Sequence, residues 1–294
     1  MPRNTLNPFI AMATGALFIV TVLPINAFDD SLLLYLPFDE NTGGIARDLT
    51  GKTGGGKIIG GTKIVQGKRG RALQLDGETG YVEIGLTPEL IEAERDSFTA
   101  ELWLMTTAKA PKVPEAVVSG FHGHLIFGGH GPDGHNNGHW SMFFFSDIGG
   151  DDKFRFAAVN VFVASGNGTP GVISEKPKLN DGEWHHIAGV RDEDAKELRS
   201  YIDGEFVGKA GDFSRALNSK PIQETARREL WLGIHAVGDG GNPGNGLFPA
   251  RYDEVRFWNR AMSHDEIKGI MSLSVSPQEK LPLSWGGIKT RWVD

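Results

Sequence analysis

The sequence predicts an all-β fold, either a sandwich or a barrel, and three observations support this. The chain of 294 residues holds 40 glycines and 15 prolines, yet 39% of it is hydrophobic. Short runs of alternating apolar and polar residues recur between turn residues, and one segment alone has the spacing of an amphipathic helix. Many short strands separated by turn signals can form a single domain of this length.

Ten segments have the composition and alternation of strands. Phe98, Ala100 and Leu102 fall on one parity while Glu101 and Trp103 fall on the other, which is typical of a strand with one face in the core. The ten predicted strands cover residues 31–38, 72–75, 81–84, 98–105, 140–145, 154–163, 184–190, 198–202, 230–234 and 252–258.

Local signals predict one hairpin and one helix. The pair Asp203–Gly204 separates two strand patterns and suits a two-residue turn, because glycine takes positive φ readily. In residues 263–271, Ser263 and Glu266 form a capping box before apolar residues at one-face spacing. We therefore expect one short C-terminal helix that closes the fold.

The two ends of the chain differ from the predicted domain, residues 28–275. Arg3 precedes an uncharged apolar run at residues 9–23, so we predict a signal peptide over residues 1–27 that is cleaved after Ala27. The alternative is an uncleaved N-terminal anchor. Residues 276–294 are predicted to form a C-terminal tail. The mature protein is then expected to be secreted, periplasmic or on the cell surface, with no membrane span.

Composition excludes several functions. The net charge of −7 argues against nucleic acid as a partner, because phosphate-backbone binding needs a dense Lys/Arg surface. The chain has no cysteine, so it has no disulfide and no thiolate nucleophile or metal ligand. Any metal must therefore bind to oxygen or imidazole.

Eight sequence blocks, taken in order and with their spacing, resemble the LamG-like jelly rolls of the concanavalin A-like lectin and glucanase superfamily. The blocks are residues 34–39, 47–51, 70–77, 81–84, 97–103, 181–190, 201–204 and 252–263. The resemblance implies two antiparallel sheets packed as a jelly-roll sandwich. It also implies a mostly non-catalytic module that binds glycans or proteins outside cells, commonly with a structural calcium ion.

Two aspartates are the predicted metal ligands. Asp253 shares its strand parity with Val255 and Phe257, so it is expected to point inward with them, and a buried carboxylate needs a partner. The resemblance implies calcium between this strand and the loop that contains Asp48, and calcium accepts about six to eight oxygen ligands. In the alternative interpretation, Asp253 accepts backbone hydrogen bonds and Asp48 only forms a turn.

A histidine-rich segment spans residues 121–140. Imidazoles two residues apart on a strand share a face and can bind zinc or copper, whereas the favoured alternative is a polar connecting or binding loop. The histidines are His122, His124, His130, His135 and His139.

Aromatic and polar residues suggest a sugar site, because such sites combine a flat aromatic surface with polar groups that form hydrogen bonds. The candidate ligand contacts are Trp140, Asn136, Asn137, Arg256 and Trp258, and Trp103 and Trp231 are further aromatic candidates. The alternative for each tryptophan is burial in the sandwich core.

No catalytic motif is present in the sequence. The E-x-D-x-E strand of the superfamily's glycosidases is missing, and so are G-x-S-x-G and H-E-x-x-H. The sequence therefore predicts a secreted, non-catalytic module that binds extracellular carbohydrate. The alternatives are a protein-binding or adhesion domain without a sugar ligand and, less favoured, a glycoside hydrolase that takes its carboxyls from separate loops.

Overall fold

The computed structural model describes ten stretches of the chain, which are residues 30–93, 96–109, 112–113, 124–129, 140–148, 154–161, 172–174, 179–211, 229–234 and 247–272. The predicted signal peptide and C-terminal tail lie outside the described residues, as do Asn136, Asn137 and four of the five histidines of the 121–140 segment. The described residues form two β-sheets and two short helices.

One sheet, here called the front sheet, has eight strands in the order β16-β15-β14-β8-β18-β6-β5, with β1 also paired to β18. All its pairings are antiparallel. Its strands are β1 (Leu32–Leu36), β5 (Thr62–Gln66), β6 (Arg71–Leu75), β8 (Phe98–Met105), β14 (His185–Asp192), β15 (Glu197–Ile202), β16 (Glu205–Gly211) and β18 (Arg251–Trp258).

The other sheet, the back sheet, has ten strands in the order β13-β12-β11-β10-β17-β7-β4-β3-β2, with β9 added parallel to β11. Its strands are β2 (Asn41–Thr42), β3 (Ile45–Ala46), β4 (Gly56–Ile59), β7 (Tyr81–Gly85), β9 (Lys112–Val113), β10 (His124–Gly129), β11 (Trp140–Ile148), β12 (Phe154–Val161), β13 (Val172–Ser174) and β17 (Glu229–Leu232). The prediction of a two-sheet jelly-roll sandwich is confirmed.

The main core joins the inner faces of the two sheets. The predicted alternation of β8 is confirmed, because Ala100, Leu102 and Leu104 are fully buried in this core. Val82 and Leu232 enter the same core from the back sheet. Burial of such aliphatic side chains is the main stabilising term in a sandwich.

A second apolar cluster covers part of the outer face of the front sheet. Helix α2 (His264–Ser272) contributes Ile267 and Ile270, which pack with Tyr201 and Trp258 of the sheet. The predicted capping box is confirmed: the Ser263 backbone N–H donates to Glu266 Oε2 over 2.8 Å. The helix therefore closes this face of the sandwich, as the sequence predicts.

The predicted hairpin is also confirmed. Asp203 and Gly204 have φ values of 52° and 76° and join β15 directly to β16. Positive φ at both central residues is the geometry of the two-residue turn that suits twisted strands.

Several elements escape the sequence prediction. Helix α1 (Pro88–Ala93) is a second short helix, and strands β4 and β5 lie in a stretch that the sequence analysis leaves unassigned. Strand β10 occupies part of the predicted histidine loop, and His124 is its first residue. Among the residues described, no helix is long and apolar enough to cross a membrane.

Candidate functional site: a buried charge cluster and two surface features

A cluster of charged and polar side chains lies on the outer face of the front sheet. Its strands β14, β8, β18 and β1 are neighbours, so their outward-facing side chains meet. Glu101 stands directly opposite Arg256 in the register. All five members are at most 3% exposed: Tyr35, Glu101, His186, Glu254 and Arg256.

Charges of opposite sign alternate through this cluster. Arg256 Nη1 donates to Glu101 Oε1 over 2.6 Å, and Arg256 Nη2 pairs with Glu254 Oε2. His186 Nε2 contacts the second oxygen of Glu101. The Tyr35 hydroxyl lies 3.0 Å from both Glu254 oxygens, and its ring centroid lies 4.2 Å from the Arg256 guanidinium carbon. Each carboxylate therefore faces a cation.

These contacts fix the ionisation states. Burial by itself raises the pKa of Glu101, but the neighbouring His186 and Arg256 outweigh burial and hold that pKa below its usual range. Burial likewise opposes the charge of Arg256, yet Glu254, Tyr35 and Glu101 raise its pKa further. Glu101 and Arg256 therefore form an ion pair at neutral pH.

A bulge in β18 brings both carboxylates of the pair Asp253–Glu254 to this outer side. Glu254 has φ of 54°, and the pairing with β8 shifts between Asp253 and Arg256. Tyr252 and Val255 on either side both enter the main core. The prediction that Asp253 points inward with Val255 is therefore wrong, because simple alternation does not hold across a bulge.

A tight turn at residues 67–70, between β5 and β6, folds over the cluster. Asp253 Oδ2 accepts a hydrogen bond of 2.8 Å from the Arg69 backbone N–H, and Arg69 Nη2 donates to the Met271 carbonyl of α2 over 2.6 Å. The Lys68 ammonium lies 4.4 Å from the centroid of the Trp103 ring. The turn and the end of α2 thus meet above the charged residues and close this face.

Asp48 lies in the loop that follows β3. Its Oδ1 accepts hydrogen bonds from the backbone N–H groups of Tyr35 (2.9 Å) and Thr50 (3.0 Å). Its Oδ2 accepts from the Thr50 hydroxyl (2.7 Å) and from the backbone N–H and hydroxyl of Thr53 (both 2.9 Å). This carboxylate therefore holds the loop in shape and ties it to β1.

The two predicted calcium ligands accept hydrogen bonds from different segments. Asp253 receives the N–H of the 67–70 turn, and Asp48 receives five donors from β1 and its own loop. Within the described stretches, no group of three or more His, Asp or Glu side chains is placed to hold a metal ion. These surroundings agree with the alternative roles as cap and turn residue, and calcium binding stays a prediction.

His185, the first residue of β14, links the loop before that strand to the turn between β15 and β16. His185 Nδ1 lies 2.8 Å from Asp203 Oδ2, and Nε2 lies 3.2 Å from Asp181 Oδ1. The hydrogen bond with Asp203 is the main reason that the pKa of His185 is raised, against the opposing effect of burial. Protonated imidazole donates through both nitrogens, so it can hold both aspartates together.

The outer face of the back sheet carries a row of directly opposed residues. Trp231 of β17 stands between Gly128 of β10 and Glu83 of β7, Glu83 is opposite Lys57 of β4, and Lys57 is opposite Ile45 of β3. Lys57 is exposed and Ile45 is 37% exposed, whereas Trp231 and Glu83 are half-buried. Gly128 is buried, so the partly exposed aromatic, charged and apolar side chains of this row run from Trp231 to Ile45.

The predicted ligand contacts have different positions. Trp258 and Arg256 are each 3% exposed, the first under α2 and the second in the charge cluster. Trp140 begins β11, where its backbone is opposite Gly129 and Val161. Ligand binding by these side chains stays a prediction. Sequence reasoning missed Glu101, His186 and Glu254 as a group because they meet only through long-range pairing.

The described residues form an all-β sandwich of two sheets. The sequence model of one family, the laminin G group of the concanavalin A-like lectin/glucanases superfamily, matches residues 76–268, which is more than half of the chain. The protein therefore belongs to this family. No curated protein matches the sequence.

Two solved structures with TM-scores above 0.5 show the same fold at low sequence identity, and a third is similar at 0.49. The receptor binding domain of botulinum neurotoxin C/D mosaic serotype has a TM-score of 0.53 at 11% identity, covering 82% of this chain and 51% of that one. The binding domain of botulinum neurotoxin DC, in complex with rat synaptotagmin II, has a TM-score of 0.52 at 11% identity with the same coverage. Domain 4 of AbnA, a GH43 extracellular arabinanase from Geobacillus stearothermophilus, in complex with arabinotriose, has a TM-score of 0.49 at 19% identity, covering 82% of this chain and 98% of that one. The chain thus spans about half the length of the neurotoxin domains it matches.

Proposed function

We propose that this protein is a secreted, non-catalytic binding module that recognises extracellular carbohydrate. One observation carries the proposal: the carboxylates of the charge cluster on the outer face of the front sheet are bound to a cation inside the protein. Glu101 and Glu254 are at most 1% exposed, and both are bound to Arg256. The sandwich therefore acts as a rigid support for recognition elsewhere on its surface.

The same geometry argues against glycoside hydrolysis by this pair. Hydrolysis needs one protonated carboxyl beside the leaving oxygen and a second carboxylate across the bond. The lowered pKa of Glu101 is the opposite of what a general acid requires. The Arg256 guanidinium also occupies the space between the two carboxylates, where a sugar would have to lie.

Membership of a lectin-type family supports a binding role, and the neurotoxin neighbours illustrate two kinds of ligand. One of their binding domains was solved with rat synaptotagmin II and one with SialylT. A sugar and a protein partner are thus both compatible with the fold, which alone does not determine function. We favour carbohydrate because a half-buried tryptophan adjoins polar groups on the open back sheet, and export follows from the predicted signal peptide.

Calcium binding forms no part of this proposal. Asp48 and Asp253 already accept hydrogen bonds, so a calcium ion would need further oxygen ligands and would have to displace N–H and O–H donors from Asp48. Because the ion is not required for the sugar surface, its presence or absence leaves the carbohydrate proposal unchanged.

A glycan array probed with the full mature protein tests the proposed function. We expect binding to a restricted set of neutral oligosaccharides, with no release of reducing sugar when the bound glycan is incubated with micromolar protein. An empty array together with capture of a defined extracellular protein would support the protein-binding alternative. Turnover of a bound glycan, lost on replacement of a single carboxylate, would contradict the non-catalytic assignment.

A further inference from the structure

We propose that the outer face of the back sheet is the carbohydrate site and that its ligand is an extended, neutral oligosaccharide. This inference rests on the proposed function and assigns it to a particular surface. The surface, here called the back-sheet row, consists of Gly128, Trp231, Glu83, Lys57 and Ile45.

The strand register fixes the row. Residues directly opposite each other in antiparallel strands share a face, and the row connects five neighbouring strands through four such pairs. Val82, Ile84, Leu230 and Leu232, which alternate with row members along β7 and β17, are fully buried in the main core. The row residues of these strands therefore face away from the core.

The row is long enough for more than one sugar ring. Neighbouring strands lie about 4.8 Å apart, so five strands give a row of about 19 Å. A second pair, Tyr81 opposite Ile59, stands two residues further along β7 and β4 and widens the surface on the same face. Both are half-buried. Gly128 is buried, so an extended chain of sugars laid across the strands would contact the row from Trp231 to Ile45.

The side chains of the row suit a polyhydroxylated ligand. Trp231 is held by its half-buried position and offers a large apolar ring with one N–H donor. Its neighbour on β10, Gly128, has no side chain to stand beside the indole. Within the described residues, no hydrogen bond or ion pair engages the side chains of Trp231, Glu83 or Lys57. Their donors and acceptors are therefore available to sugar hydroxyls.

The charges of the row favour a neutral ligand. Glu83 and Lys57 are opposite each other, so the row has no excess of either sign. An anionic polymer would need several cations along its length, and the only positive side chain among the five is that of Lys57. A neutral oligosaccharide can instead donate hydroxyls to Glu83 and accept from Lys57 while one ring packs on Trp231.

Titration calorimetry with the best array glycan tests this assignment. For Trp231→Ala we expect at least about a tenfold rise in Kd, and for Trp231→Phe an intermediate value, because the smaller ring retains part of the stacking. For Glu83→Gln and for Lys57→Met, which change polar groups on the surface, we expect smaller rises. Trp184→Ala is the matched control, since Trp184 is also half-buried but precedes β14 of the front sheet.

The outcomes separate the two proposals. If the wild-type protein binds a glycan and Trp231→Ala, Glu83→Gln and Lys57→Met all keep the wild-type Kd, the back-sheet row is not the site although the function stands. If Trp184→Ala weakens binding as much as Trp231→Ala, the assignment to the row is also overturned. If the wild-type protein binds no glycan, the proposed function itself fails. Lys57→Met lies at an exposed position, so it remains informative if Trp231→Ala does not fold.

Discussion

The two outer faces of the sandwich use similar residue types for opposite purposes. On the front sheet, Glu101 and Arg256 stand opposite each other and are buried, with the 67–70 turn and α2 closing over the cluster. On the back sheet, Glu83 and Lys57 also stand opposite each other, but Lys57 is exposed and neither forms an ion pair among the described residues. A carboxylate and a cation on neighbouring strands thus stabilise the fold in one place and are free to bind a ligand in the other.

Breaking the front-sheet pair gives the largest expected effect. In Arg256→Met the new side chain leaves Glu101 and Glu254 without their shared cation, and removal of one partner from a buried ion pair costs about 3–5 kcal/mol of unfolding free energy. Equilibrium denaturant unfolding measures the change. The matched control is Lys57→Met on the back sheet, where we expect a much smaller change. Equal losses for the two variants would remove the contrast between the faces.

Helix α2 covers part of the front sheet, and its packing can be weakened without changing the charge cluster. Ile267 is fully buried between α2 and the sheet, so Ile267→Ala is expected to cost about 2–4 kcal/mol through lost packing and a cavity. The exposed Lys268 of the same helix provides the control, Lys268→Ala, which keeps the helix and its buried face. A loss of less than about 1 kcal/mol in Ile267→Ala would indicate that α2 contributes little to closing this face.

Local parts of this architecture are predictable from sequence, and long-range parts are not. The alternation of β8, the Ser263–Glu266 capping box and the Asp203–Gly204 hairpin depend on residues near each other in the chain, and all three are confirmed. The positive φ of Glu254 has no sequence signature, so the bulge of β18 and the outward position of Asp253 were missed.

The charge cluster and the back-sheet row depend on strand order. Tyr35 and Glu254 are 219 residues apart in the chain, and Glu101 and His186 are 85 apart. Sequence spacing does not reveal that such residues meet. The sequence does not distinguish Trp231 from the other candidate tryptophans, whereas the strand register places it beside Gly128 and Glu83.

The pH dependence of stability is a further test of the front sheet, because His185 of β14 contacts both Asp181 and Asp203. The raised pKa of His185 gives stability that is fully present below its ordinary value of 6.5 and is lost as pH rises through the higher folded-state pKa. The lowered pKa values of Asp181 and Asp203 give stability that is lost as pH falls below 3.8. Thermal unfolding from pH 5 to 9 should show a decline above pH 6.5 that is smaller in His185→Gln. An unchanged profile in that variant would show that another group is responsible.

Calcium is expected to change the thermal stability of the protein less than any of the preceding changes does. Thermal unfolding of the wild-type protein and of Asp253→Asn, each with chelator and then with millimolar calcium, measures it directly. Hydrogen-bond donors already face both oxygens of Asp48 and one oxygen of Asp253, so we expect no rise in Tm that depends on Asp253. A ligand that binds the native state alone at about a hundredfold excess over Kd adds about 2.7 kcal/mol. A rise of that size, absent in Asp253→Asn, would establish the calcium site and require these donors to rearrange.

The central claim is that the front face stabilises the fold and the back face binds the ligand. Measuring unfolding free energy and glycan Kd together, on Arg256→Met and Trp231→Ala, tests it most directly. We predict that Arg256→Met loses stability while its folded fraction keeps the wild-type Kd, and that Trp231→Ala loses at least about tenfold in affinity with a smaller loss of stability than Arg256→Met. Loss of glycan affinity in folded Arg256→Met, with normal affinity in Trp231→Ala, would contradict the claim and place the ligand on the front sheet.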